Sequence, residues 1–555
     1  MTIERPSKRA ASLLFLALLV AYLANLRSIG SGDTIPATLV PLSLLSHGDV
    51  VLDQYDFGPK DGPLPYYVKR TANGKNVTSL YPVLTPLLAT PFYLPAKALV
   101  PEAAQGAPSR AVELLAPFGK LAAAVFAALS AVLLLFALGA FLSPGRSLFL
   151  AFAYGLGTST FSVSSQALWS HAVSQLLLAG LLLIGTKTLT PSRLAAAGLL
   201  AALMLPNRPP DLLLVVPIAV FFVVSAGRRA GFFLGPAILV SALGIAANLA
   251  LHGNLLGGYG KFGALFQFGP KTVLPNLAAL LVSPVKGLFV FSPFLLASLV
   301  TIVRLRKSSP PLLLACAASF LLHTGMLATW NLWHGGWTYG PRLLAGALPA
   351  LTLLAAPFVA TLPVGALRLF GIPVALSMLF HAAGAYCAPR GSSGLAPRYW
   401  SSFPPAEELR AGLASPSFLP LLSSAFGPRP PWGDGRASFP GPAPRVVGHA
   451  GEPQRFALLV RNESSAPWWG VNGRDGQGLS FLRVEVKDAA GGPVGGVVFW
   501  PLPYRIGPGE TSRLTPYAIL PPGPGGYTGV ATLQGPGFTA ESSTRFEVEV
   551  LPWDR

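Results

Sequence analysis

The chain has 555 residues, of which 52% are hydrophobic and only 11% charged, with a mean hydropathy of +0.55. That balance excludes a soluble globular protein and describes a polytopic membrane protein. The formal net charge of +18 falls largely in short gaps between apolar runs, so membrane topology explains it better than a nucleic-acid partner does.

Arg5, Lys8 and Arg9 precede the first apolar run, 11–26, which has the flanks of a signal peptide. No small-x-small cleavage site precedes the polar loop that follows, so the run reads as a retained anchor. A length criterion of about twenty apolar residues then places spans at 117–142, 147–163, 170–186, 194–206, 211–226, 231–251, 286–303, 310–330, 342–361 and 369–386. With a cytoplasmic N-terminus, every short inner gap is basic: Arg146, Lys187 with Arg193, Arg228 with Arg229, Arg304 with Arg306 and Lys307, and Arg368.

The remaining gaps fall on the opposite face: the loop 28–115, the turn 164–170 with His171 at its edge, 207–211, 252–284 and 331–341. They gather the acidic, aromatic and histidine residues that an extracytoplasmic active site requires. In the first loop, 35–45 is expected to form a short amphipathic helix along the membrane surface. The stretch 81–93 is apolar but interrupted by Pro82, Pro86 and Pro91, so it reads as a re-entrant or interfacial segment, not a span. Asp49, Asp53 and Asp56 are candidate ligands for a divalent cation, Mg²⁺ or Ca²⁺, although their spacing equally suits a solvated loop.

Two cysteines, Cys316 and Cys387, indicate neither a disulfide framework nor a thiolate metal site. Sequons at Asn76 and Asn462 lie on the outer side, while an alanine-, glycine- and proline-rich composition points to a bacterial chain and its inner membrane. Residues 391–444 read as a proline- and glycine-rich linker with a short helix at 406–413. Strand-like runs at 455–461, 480–486, 497–500, 511–518, 526–534 and 544–551 suggest an immunoglobulin-like β-sandwich over 445–555, placed extracytoplasmically by the span count.

Over residues 10–390 the layout resembles the C-type (GT-C) integral membrane glycosyltransferases, which include protein O-mannosyltransferases and lipid A aminoarabinose transferases. The resemblance rests on Gly32-Asp33-Thr34 just beyond the first span, the helix after it, the Tyr81-Pro82 to Pro91-Phe92 segment, Arg208-Pro209, and Trp333-His334-Gly335-Gly336-Trp337 with Tyr339-Gly340-Pro341-Arg342. Many members carry two adjacent acids where this chain has Asp33 followed by Thr34. The resemblance implies an α-helical GT-C-like domain of about eleven spans (1–390), a polyprenyl-phosphate sugar donor, and a glycan, lipid or protein acceptor.

Inverting transfer needs a base for the acceptor hydroxyl and donors for the departing phosphate. Asp33 suits the base, and a helix N-cap is its alternative task. Arg208 and Arg342 stand at outer span ends where topology calls for no arginine, and their planar forks fit phosphate oxygens; snorkelling to headgroups is the other reading. His171 and His334 are secondary donors to phosphate or sugar. Trp333, Trp337 and Tyr339, with Tyr81 and Tyr259, form the expected substrate cavity, or else an interfacial aromatic belt. Against the transferase stand a transporter or flippase of a lipid-linked glycan, for which mid-membrane charges and internal repeats are expected, and a scaffold presenting the C-terminal domain.

Overall fold

The computed structural model describes residues 6–25, 28–57, 64–259, 266, 268–330, 332–335, 338–387, 403–406 and 409, together with 434–552 except 452, 467, 469–479, 495–496, 503–505, 515, 536–537, 539 and 541. Trp337, Gly336, Asp61 and most of the linker with its expected helix lie outside the described residues. The chain divides into two compact units, residues 1–386 with 399–406, and residues 387–398 with 407–555.

The first unit is helical. Helix α1 (Lys8–Leu23) starts at Ser7, whose hydroxyl accepts from the amide of Ala10 at 3.1 Å. It packs on α5 (Pro108–Leu138) and α6 (Pro144–Leu156) through Leu14, Leu18 and Tyr22. The Tyr22 hydroxyl donates to the Gly155 carbonyl at 2.9 Å, which fixes α1 inside the bundle. Helix α2 (Thr34–His47) follows Asp33 and ends at Gly48, whose φ of 80° suits a residue without Cβ.

The helix expected at 35–45 forms, and much of its surface is packed against neighbouring helices. Thr34, Pro36 and Thr38–Ser43 are buried, because α2 is covered by α5 and by α3 (Leu84–Ala89). The proline-rich stretch does not form a continuous span. It breaks into α3, a 3₁₀ turn at Thr90–Tyr93 and α4 (Leu94–Leu99), since each proline withholds a backbone donor. Strands β1 (Val68–Arg70) and β2 (Val77–Ser79) form an antiparallel hairpin before it.

Helices α7 (Ser170–Gly185), α8 (Pro191–Asn207), α9 (Leu212–Ala226) and α10 (Gly231–His252) follow the expected spans closely. The expected span 147–163 ends early: α6 stops at Leu156 and a π-helical turn occupies Thr160–Ser164. Helix α11 (Pro270–Val282), which lies in the expected outer loop, packs on α14 (Pro311–Ala328), and the Asn276 amide donates to the Ala328 carbonyl at 2.9 Å. It was hidden by Pro270 and Pro275 and by its short length.

The expected span 286–303 is also broken, into α12 (Leu288–Phe291), a 3₁₀ turn at Pro293–Leu295 and α13 (Leu296–Arg304). The break falls at Ser292-Pro293. Helices α15 (Leu348–Thr361) and α16 (Val364–Ala382) complete the unit. Arg146 donates to the carbonyls of Val359, Ala360 and Leu362, satisfying the open end of α15.

Among the described residues, six helices are long and apolar enough to cross a membrane, and α10 keeps almost all of its surface outward. With the composition, this makes the chain an integral membrane protein. The eleven expected spans exceed those six because several helices, α7, α8 and α13 among them, are shorter than 18 residues.

The second unit is all-β. Strands β3 (Ala437–Ser438), β4 (Arg445–His449), β5 (Pro453–Arg455), β6 (Leu458–Asn462), β7 (Phe481–Lys487), β8 (Val498–Pro501), β9 (Thr511–Leu514), β10 (Tyr517–Ile519), β11 (Gly525–Gln534) and β12 (Ser542–Leu551) make three sheets. Their orders are β4-β12-β11-β7-β8, β3-β6-β9 and β10-β5, antiparallel except for the parallel pair β4 and β12. Alternate residues of β7, β11 and β12 point inward to one core with Leu458, Val460 and Leu514 of the smaller sheet.

Candidate active site

Five segments that the charge count places on one face meet in a cavity of about 470 Å³ in the first unit. Its lining includes Asp33, Tyr66, Tyr81, Trp169, His171, Arg208, Tyr259, Trp330 and Arg342. Apolar walls are supplied by Leu80, Pro82, Pro86, Leu168, Pro210 and Leu343.

Asp33 occupies the N-cap position of α2 but makes no side-chain capping bond. Its carboxylate is turned to other partners: Oδ2 accepts from Arg342 Nη1 at 2.7 Å, and Oδ1 from the Tyr81 hydroxyl at 2.8 Å, with the Tyr66 hydroxyl farther off at 3.4 Å. Gly32 permits this, since a Cβ there would run into the Tyr66 ring. Burial, and then the neighbouring Asp33 charge, push the Tyr66 and Tyr81 hydroxyls well above the ordinary phenol range. Both tyrosines therefore remain protonated donors, and burial raises Tyr259 in the same direction.

The loop carrying Asp33 is docked on the turn before α7. The Ile29 amide donates to the Gln166 carbonyl at 2.9 Å and Trp169 Nε1 donates to the Ile29 carbonyl at 3.2 Å. Gln166 is itself held by Asn25 at 2.7 Å and by the buried Lys120 Nζ at 2.5 Å. Trp169 then offers its face to Arg342, whose Cζ lies 4.7 Å from the ring centroid.

Arg342 begins the 3₁₀ turn Arg342–Ala347 that leads into α15, after Gly340 reverses the chain with a φ of 61°. Among the described residues its Nε is buried without a hydrogen-bond partner, as is His171 Nδ1. Arg208 is held differently. Pro209 forces it into extended backbone at the end of α8, and its Nη1 meets Asp211 Oδ1 at 2.5 Å. The other Asp211 oxygen accepts from Ser174 at 2.5 Å, and Asn207 donates to the same Ser174 hydroxyl at 2.9 Å.

The described residues of the expected set divide into two groups. Asp33, Arg208, Arg342, His171, Tyr81 and Tyr259 share the cavity. His334, Trp333 and Tyr339 are not among its lining residues. Trp333 is buried in the helical core. The Tyr339 hydroxyl donates to the Phe380 carbonyl at 2.6 Å and its ring packs edge-on against Phe291. His334 is pushed down to about 4 by burial, Lys286 and Arg342, so it is neutral at physiological pH.

Sequence reading missed Tyr66, Trp169 and Asp211. Only Asp211 left a signal, an acid three residues after Arg208.

The acidic loop residues do not converge. Asp49 accepts from the Val51 amide at 3.0 Å, while Asp53 accepts from Asn76 at 2.8 Å and the Val77 amide at 2.6 Å. Among the described residues, no three His, Cys, Asp or Glu side chains gather to hold a metal ion.

Solved structures similar to this chain include two of ArnT. The crystal structure of ArnT from Cupriavidus metallidurans bound to undecaprenyl phosphate matches with a TM-score of 0.42 and 14% identity, over 70% of this chain and 67% of that one. Its apo state matches with 0.42 and 14%, over 69% and 66%. A family 123 glycoside hydrolase from Clostridium perfringens matches with 0.14 and 13%, over 20% and 23%. No family model and no curated protein matches the chain.

Proposed function

We propose that this protein is a membrane glycosyltransferase that moves a sugar from a polyprenyl-phosphate donor to an acceptor hydroxyl. One observation carries the reading: an aspartate and two arginines, far apart in sequence, line one cavity of about 470 Å³ whose remaining walls are mainly aromatic and apolar, with a few hydroxyl side chains and His171. Such a cavity suits an amphipathic ligand with an anionic head, because apolar walls shed water and the few polar groups set orientation.

In the proposed reaction the acceptor oxygen attacks the anomeric carbon, and the bond from that carbon to the phosphate oxygen breaks. The acceptor proton passes to Asp33, and the departing polyprenyl phosphate keeps the bonding electron pair. Arg342 and Arg208 stabilise the charge that grows on the phosphate. Tyr81 holds Asp33 Oδ1, which fixes the orientation of the carboxylate in the cavity.

The active face is extracytoplasmic in this reading, with a cytoplasmic N-terminus in a bacterial inner membrane and the β unit on the outer side. The test is transfer of radiolabelled sugar from a panel of polyprenyl-phosphate donors in membranes, comparing wild type with Asp33→Asn. Transfer by wild type and none by the variant supports the reading. Equal activity in both removes Asp33 as the base, and no transfer from any donor removes the reading.

A further inference from the structure

Arg208 and Arg342 are not equivalent. Arg208 is 4% exposed and its partner Asp211 fully buried, with both Asp211 oxygens bonded at 2.5 Å. Withdrawing that guanidinium would strand a buried carboxylate, so Arg208 is fixed. Arg342 has one bonded nitrogen among the described residues, Nη1 on Asp33, while its Nε is buried with no partner. A guanidinium has five N–H donors, so this one is only part-used. Its carboxylate partner is 24% exposed and retains Tyr81 on the other oxygen, so Asp33 can lose Arg342 without being stranded.

Both members of the pair line the cavity, and the Trp169 face lies under the guanidinium. An anion in this cavity therefore competes with Asp33 for one cation. Resting on the transferase reading, we propose that Arg342 is a shared cation: an entering phosphate draws it from Asp33, Trp169 keeps it in place as a positioning residue, and binding of the donor itself frees the base. No bond is made or broken in this step. A hydrogen-bonded ion pair within the protein is exchanged for one to the ligand, so the carboxylate is occupied until the phosphate has arrived.

The exchange has a sign that a base acting apart from the phosphate lacks. Asp33→Asn removes the competing charge, so phosphate binding should tighten by about tenfold, the scale of one charge-assisted hydrogen bond. The gain must pass through Arg342, so it should vanish in an Arg342→Gln background. The measurement is titration calorimetry on the detergent-solubilised full chain, with geranylgeranyl phosphate as one probe and inorganic phosphate as the other. Asparagine and serine are both good N-cap residues, so Asp33→Ser serves as a second variant should Asp33→Asn fold poorly.

Tightening in the wild-type background alone supports the exchange; seen with both probes it assigns phosphate in general, and with the prenyl probe alone a lipid phosphate. Tightening of equal size in both backgrounds shows simple repulsion and overturns it, as does no tightening. In both of those outcomes the probe still binds, so the transferase reading survives. Failure of wild type to bind either probe removes both together. For Trp169, Trp169→Leu should weaken the prenyl probe about tenfold and Trp169→Phe should restore it; equal affinity in all three would deny Trp169 the positioning role.

Discussion

Arg342 Nη1 lies 2.7 Å from Asp33 Oδ2 across 309 residues of sequence, and this pair joins the start of α2 to the turn before α15. Asp33 makes no capping bond to α2, is 24% exposed, and as asparagine would keep an oxygen able to accept from Arg342, so Asp33→Asn should leave membrane insertion intact and cost little thermal stability. Transfer should fall by about 10² to 10⁴, the usual contribution of a positioned base. Insertion, apparent Tm and radiolabel transfer on the same preparation check this. A loss of stability matching the loss of transfer would count against a chemical role.

Asp211 is expected to behave in the opposite way. Its pair with Arg208 is buried and its second oxygen holds Ser174, so Asp211→Ala leaves an uncompensated arginine in the interior. Breaking such a pair costs about 3–5 kcal/mol. Thermal denaturation in detergent should show Asp211→Ala much less stable than Asp33→Asn.

Tyr81→Phe removes the 2.8 Å bond to Asp33 while keeping the ring against Tyr259. Little stability should be lost, and transfer should fall about tenfold, the size of one hydrogen bond to a charged group. Steady-state kinetics on the variant measure it, and an unchanged rate would remove Tyr81 from the site.

Lys286, in the turn between α11 and α12, donates to the Thr338 carbonyl and is 1% exposed. Burial, and then Arg342, lower its pKa from the ordinary lysine value to about 7. Between about pH 7 and 10 the unfolded chain binds this proton and the folded chain does not, so stability rises with pH across that window. Below the folded pKa the ammonium is buried and that contribution is gone. Lys286→Met should flatten the dependence, which is read as the difference in apparent Tm between variant and wild type at pH 6, 8 and 10.

Asn462 is expected to remain unmodified even in a glycosylating host. Its side chain is fully buried and donates to the carbonyls of Ala466 and Ile506 at 3.0 and 2.9 Å. Peptide mass mapping after such expression should show the bare residue.

The elements legible in the sequence are those whose signal is local. Apolar runs at 170–186, 194–206 and 231–251 became α7, α8 and α10 within a few residues, because a membrane helix satisfies its own backbone and announces itself by composition. The alternation in 526–534 and 544–551 became β11 and β12 for a similarly local reason. Where prolines or a short length blurred that signal, as at α11 and at the break in 286–303, the reading failed.

Composition and spacing alone determined that this is a membrane protein with an all-β unit at its C-terminal end, and they singled out Asp33, Arg208 and Arg342. They did not determine what those residues touch. Tyr66, Trp169 and Asp211 carry no distinguishing pattern of their own, and Trp333 and Tyr339 belong by pattern to the site yet pack elsewhere. Only the tertiary structure decided that Arg342 is divided between Asp33 and an open cavity while Arg208 is locked to Asp211. The reason is physical: helix formation depends on neighbours in sequence, whereas ion pairing depends on distance and burial between segments hundreds of residues apart.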